Sequence, residues 1–163
     1  MKSKKKYLLG FTLLELMVVM SILGFLISIV VPNYRTNVLK AQVQQGIIEA
    51  QSFKAKLTEA IINNGGNVPN ITFASGDFPV LPPSISSITY AYVSNNTGNI
   101  KITFSAGTNN QFSELLNGKL ILQVQAPSSS NTLKWFCNLD PANTNTNFYK
   151  YLPSACSDTL SST

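Results

Sequence analysis

From Phe11 to Val31 the chain is an apolar run whose only ionisable side chain is Glu15, and it follows a short basic stretch holding Lys2, Lys4, Lys5 and Lys6. A run of about 21 residues at about 1.5 Å per residue covers about 31 Å, enough for the roughly 30 Å hydrocarbon core of a bilayer. The lysines predict a cytoplasmic N-terminus, which sends everything after Val31 outward. A secretory signal peptide is the competing reading. Its cleavage site would follow the apolar region with small residues in an A-x-A pattern, whereas Ser28 to Pro32 reads SIVVP and the small residue Gly10 stands before the run.

Glu15 needs a reason to be there, because a carboxylate within a membrane-spanning segment costs about 2.5 to 3.5 kcal/mol and marks a functional position. On a helix Glu15 shares a face with Phe11. Cleavage after Gly10 would give Phe11 a new amine for Glu15 to pair with, in the same chain or a neighbour, and a carboxylate near the first turn suits the helix dipole. The plainer alternative is a glutamate resting at the headgroup boundary.

The stretch GFTLLELMVVMSILGFLISIVVPNY resembles the N-terminal signature of type IV pilins: basic leader, glycine, phenylalanine, offset glutamate, apolar helix. The resemblance implies a leader over 1–10, cleavage between Gly10 and Phe11 by a prepilin peptidase of the inner membrane, and N-methylation of Phe11 by the same enzyme. It implies that Glu15 helps register each incoming subunit in a filament. Gly24 and Pro32 match the family's helix-breaking positions, between which the helix is often loosened in the assembled fibre. The partners implied are other pilin subunits, the peptidase, the assembly machinery and the membrane before assembly, with an extracellular pilus as the final location.

Charge fits a protein whose leader is removed. Of twelve basic residues four precede Phe11, which leaves eight against seven acidic ones. Those eight, among them Arg35, Lys40, Lys101 and Lys150, are scattered, so the sequence pI of 9.3 lends no support to a nucleic-acid partner.

Beyond the apolar run, over 32–63, Leu39, Val43, Ile47, Ala50, Lys54, Leu57 and Ile61 recur at helical steps, with the Lys54 stem completing the stripe. This predicts an amphipathic continuation of the membrane helix, stopped by Asn63, Asn64, Gly65 and Gly66. Pro32 predicts a bend in that single helix. The stripe reads as packing on the domain that follows rather than as a coiled coil, because its heptads are not sustained.

The remainder, 64–163, reads as a globular head. Asn67 to Ser87, with Pro69, Pro79, Pro82 and Pro83, reads as a loop. Strands are expected over Ile88–Ser94 and Asn99–Ser105 around a turn at Asn95, Asn96, Thr97 and Gly98, then over Lys119–Ala126 and Thr132–Asn138, with Leu133 and Trp135 inward. The fold class is therefore α+β: a long N-terminal helix packed on a four-stranded antiparallel sheet.

Cys137 and Cys156 lie in the part predicted to be outside, where oxidation is permitted. A disulfide closing that loop would stabilise by about 3 kcal/mol in the chain-entropy model. Two cysteines with no histidine make a poor metal site. The strings WFC and YLPSAC resemble the C-terminal disulfide-bounded loop of type IVa pilins.

Catalysis has little support. Histidine is absent, and Asp77, Asp140, Asp158, Glu49, Glu59 and Glu114 form no recognisable pair, so each reads as a solvated surface charge. Nothing implies a cofactor. Asn70-Ile71-Thr72 and Asn95-Asn96-Thr97 match the N-glycosylation pattern, and the tail Ser157 to Thr163 is rich in hydroxyl groups. The expected function is a structural subunit of a pilus used for adhesion, twitching motility or DNA uptake. A minor pilin or pseudopilin, priming assembly or acting as a tip or DNA receptor, is the alternative, and a plain signal-anchored periplasmic protein is a third reading.

Overall fold

The computed structural model describes residues 10–73, 80–126 and 132–156. One helix, α1 (Leu13–Asn63), is followed by four strands, β1 (Ile85–Ser94), β2 (Thr97–Phe104), β3 (Lys119–Gln125) and β4 (Lys134–Leu139). The chain divides into two units, one ending at Asn37 and one beginning at Val38, and α1 runs through both.

Among the described residues of the first unit, those from Leu13 onward are helical. Its helical assignment passes through Gly24 and Pro32 without interruption. Ser21 and Ser28 donate their hydroxyls to the carbonyls of Met17 and Phe25, at 2.9 and 2.7 Å, so neither hydroxyl is left unpaired in an apolar medium.

The second unit is an antiparallel meander in the order β1-β2-β3-β4, with the C-terminal half of α1 on one face. Alternation sets that face: Ile100 and Ile102 of β2 pair with Leu122 and Leu120 of β3, Phe104 of β2 pairs with Ile85 of β1, and all six are buried. From the helix come Leu39, Val43, Ala50, Phe53, Leu57 and Ile61. The predicted stripe is corrected at one place. Phe53, not Lys54, occupies the core, while Lys54 is only partly buried and holds its ammonium 4.8 Å from the centre of the Trp135 ring.

The helix ends where the glycines predicted. Gly66 N–H donates to the Ile61 carbonyl at 2.9 Å and Gly65 N–H to that of Ile62 at 3.3 Å, with Gly65 at φ 67°. This is the Schellman arrangement, and it needs the left-handed backbone that glycine tolerates without strain.

The strands differ from expectation at their ends. β1 begins at Ile85, inside the predicted loop, because Ile85 pairs with Phe104 while the Ser84 hydroxyl donates to Gln42 Oε1 at 2.7 Å. β2 begins at Thr97, so Gly98 belongs to a strand rather than a turn. A Cβ on Gly98 would stand 2.9 Å from the Tyr90 ring, and the glycine makes room for that ring. Leu133 and Trp135 are partly buried against the core, as their alternation requires.

Tyr90 donates its hydroxyl to the Pro69 carbonyl at 2.8 Å and meets Phe73 edge-on, which fastens the segment after α1 to the sheet. Burial, and secondarily the neighbouring Tyr92, push its pKa up to about 12. A folded-state value above the ordinary value near 10 means that the folded chain holds this proton more tightly than the unfolded chain. Stability from this source is full below about pH 10 and lost as pH rises towards about 12. Denaturation midpoints measured across that window should fall more steeply for the native chain than for Tyr90→Phe. Equal slopes would assign the loss to other groups.

Candidate functional site

Around residue 10 the chain enters its helix through a cap. Thr12 Oγ1 accepts the Glu15 N–H at 3.2 Å, and the Thr12 carbonyl accepts Leu16 N–H at 3.3 Å. Thr12 is therefore the N-cap and Glu15 the third helical residue, the positions of a T-x-x-E capping box. The sequence reading passed over Thr12, although that motif ahead of an apolar run is a helix-start signal. Gly10 and Phe11 precede the cap, outside the helix and exposed.

From the cap to Val31, no described residue covers the helix. Large apolar side chains from Phe11 to Val31 are 42% to 76% exposed, and none of the most apolar 18-residue window, of mean hydropathy 2.6, is buried. Each such side chain left in water forgoes about 1.5 to 3 kcal/mol. By length and composition the segment is able to cross a membrane. Glu15 is exposed on the same segment, one turn from its start. A Cβ on Gly24 would meet nothing within 4 Å, so no packing within the chain requires glycine there. Phe11, Glu15 and Gly24 thus share one uncovered segment with Pro32 downstream, and packing within the chain gives no role to any of the first three.

At the other end Cys137 and Cys156 form a disulfide with Cα atoms 4.4 Å apart, joining β4 to a short 3-10 turn at Ser154–Cys156. The loop it bounds is fastened from within. Asn143 Oδ1 accepts Lys119 N–H at 3.1 Å, and Asn145 Nδ2 donates to the Glu114 and Leu116 carbonyls at 2.7 and 3.1 Å. Phe148 is fully buried, its ring centre 5.1 Å from that of Phe104.

The acidic residues need one correction. Asp140 is not a solvated surface charge but is 4% exposed, accepting Ala142 N–H at 2.8 Å and standing 3.8 Å from Lys101 Nζ. Its hydrogen bond closes the turn after β4, a structural use. Glu59 is exposed, Glu49 and Glu114 are intermediate, and Asp77 and Asp158 lie outside the described residues. No group of three or more metal-binding side chains occurs among the described residues. Asn70 and Asn95 are both exposed, on segments joined by the Val68 N–H to Asn95 carbonyl bond, whereas the hydroxyl-rich tail lies outside the described residues.

Comparison with known proteins covers both regions. A family model described as pilin (bacterial filament) matches residues 40–157, and one for the prokaryotic N-terminal methylation motif matches residues 9–31. The type IV major pilin protein PilE1 of Neisseria gonorrhoeae is 32% identical over 161 residues, covering 91% of this chain and 93% of that protein. A fimbrial protein of Neisseria meningitidis serogroup A is 31% identical over 170 residues, 93% of this chain and 95% of the relative. A probable minor fimbrial protein of Dichelobacter nodosus is 28% identical over 159 residues, 90% and 93% of the two chains.

Proposed function

We propose that this chain, which belongs to the pilin family of bacterial filament proteins, is the repeating subunit of a type IV pilus. Pilins are structural proteins, not enzymes. The observation that carries the reading is the uncovered apolar helix: a segment this apolar and this exposed is stable in lipid before assembly and in a bundle of its own copies afterwards. The methylation-motif match over 9–31 supports cleavage between Gly10 and Phe11 and methylation of the new Phe11 amine. In this reading residues 1–10 are the leader, 11–31 the filament-core helix, 32–63 its amphipathic continuation and 64–163 the head.

Before assembly the leader lysines hold the N-terminus on the cytoplasmic side and the head faces the periplasm. Gly24 and Pro32 supply the positions at which the helix can loosen in the fibre, since one has no side chain and the other no N–H. Glu15 pairs with the Phe11 amine of an adjacent subunit, which neutralises both charges where an isolated one is costly.

Relatives named as major and as minor fimbrial proteins cover this chain to similar extents, so the minor-pilin reading is kept as the second one. Sheared surface fibres analysed by mass spectrometry test both. This chain should be the most abundant component and should begin at a methylated Phe11. A trace amount with the same terminus would favour the minor subunit, and an intact Met1 start would sink the processing scheme.

A further inference from the structure

Two asparagines in the sequence are followed directly by glycine, Asn64 and Asn117, and the fold treats them oppositely. Such a pair carries chemistry of its own. The backbone nitrogen after an asparagine can attack the side-chain carbonyl carbon, and glycine obstructs that attack least, because no Cβ crowds the nitrogen or restricts the backbone rotation that closes the ring.

Asn64 stands just past the last turn of α1, exposed, with Nδ2 donating to the Asn67 carbonyl at 3.1 Å. Gly65 is exposed too, and a Cβ built there would meet nothing within 4 Å. Its N–H reaches the Ile62 carbonyl at 3.3 Å, longer than a well-formed bond, so little holds the attacking nitrogen in place. Around Asn117 the corresponding groups are held. Gly118 is buried, its N–H donates to the Leu115 carbonyl at 2.9 Å, and its own carbonyl accepts Phe104 N–H at 2.8 Å. A Cβ at Gly118 would stand 2.4 Å from the Phe148 ring, so this glycine has no room to swing towards the asparagine side chain.

We propose that Asn64 is a self-modifying position, converted through ring closure with Gly65 into aspartate and isoaspartate, and that the fold protects Asn117 from the same change. A bond forms between Gly65 N and Asn64 Cγ while the bond from Cγ to Nδ2 breaks, and the departing nitrogen leaves as ammonia with the proton of the Gly65 amide. Solvent water then opens the ring at either carbonyl, and each product carries one carboxylate. No oxidant, cofactor or second copy takes part.

The product changes the place where it forms. A carboxylate at residue 64 loses the donation to Asn67 and sets a negative charge beside the carbonyls that end α1, where the helix dipole disfavours it. Nearby, Val68 is buried and its N–H donates to the Asn95 carbonyl at 2.6 Å, so the change falls on the link between helix and sheet. Charge shifts as well. Eight basic and seven acidic side chains follow Gly10, so one conversion per chain brings them level, and a chain without net charge associates more readily.

The test incubates the full-length chain, folded in detergent, in mildly alkaline buffer, and reads residues 64 and 117 by peptide mass spectrometry that separates aspartate from isoaspartate. Acid at residue 64 should accumulate about tenfold or more faster than at residue 117, the ratio that 1.4 kcal/mol of local opening maintains. In denaturant the two rates should converge, since both sites are then asparagine before glycine in an open chain. Equal rates in the folded chain, or the faster rate at residue 117, overturn the inference. So does a product at residue 64 that holds aspartate without isoaspartate, because ring closure yields both.

Discussion

Replacing Glu15 with alanine should remove surface fibres while leaving as much protein in the membrane as before, or more. Insertion and assembly pull in opposite directions on this residue. A glutamate in a spanning segment costs about 2.5 to 3.5 kcal/mol, so alanine relieves insertion. On the proposed pairing, the same change in the fibre would strip the Phe11 amine of its partner in a low-dielectric core, and breaking one member of a buried pair costs about 3 to 5 kcal/mol. That is roughly a hundredfold to several thousandfold per contact. The capping role seen at Thr12 offers a different account, in which Glu15 serves the helix start and is worth only about 0.5 to 1 kcal/mol. Glu15→Gln separates the two, since glutamine also suits the capping position but carries no charge. Fibre yield near native from the glutamine variant would shift the explanation to the cap, and native yield from the alanine variant would end the pairing mechanism.

The second large effect belongs to Phe148. Its ring is fully buried against Phe104, and a Cβ placed on Gly118 would lie 2.4 Å from it, so the space around it is filled on every side that the core presents. Phe148→Ala should cost about 3 to 5 kcal/mol of head stability, mostly as cavity. In a domain of this size that is a fall in Tm of about 10 °C or more. The disulfide should still form, because Asn143 and Asn145 continue to hold the loop to Lys119, Glu114 and Leu116. Calorimetry on the purified chain, with thiol titration beside it, checks both statements. An unchanged Tm would mean that the Phe148 ring adds nothing to the stability of the head. Loss of the Cys137–Cys156 bond should cost about 3 kcal/mol in the chain-entropy model, so the aromatic anchor and the covalent one are of comparable strength.

Features that are local along the chain were readable before any coordinates. The apolar run, its lone glutamate and the glycine ahead of it follow from counting charges. The helix stop at Gly65 and Gly66 follows from backbone sterics, and the alternation in Ile100, Ile102 and Phe104 from the pleat of a strand. Thr12 is equally local, since its spacing of three residues to Glu15 marks the helix start without any distant neighbour.

The misread residues share a different cause. Lys54 and Phe53 are adjacent, and both fit a helical stripe within a single step, so only the packing of the folded head selects the phenylalanine. Asp140 looked solvated because its lysine, Lys101, is far away in sequence and meets it across β3. Gly98 looked like a turn residue until the Tyr90 ring was found against it. Phe148 sits among asparagines and threonines that announce a loop, and its burial depends on Phe104 and Gly118.

By itself, then, the sequence determined the apolar helix, the single charge within it, the helix-then-sheet order and the pair of cysteines able to join, since hydropathy, periodicity and backbone preference act over a few residues. Tertiary structure alone decided which side chains fill the core and which carboxylate is withdrawn from water. Burial is a sum over neighbours distant in sequence, and no local pattern contains it.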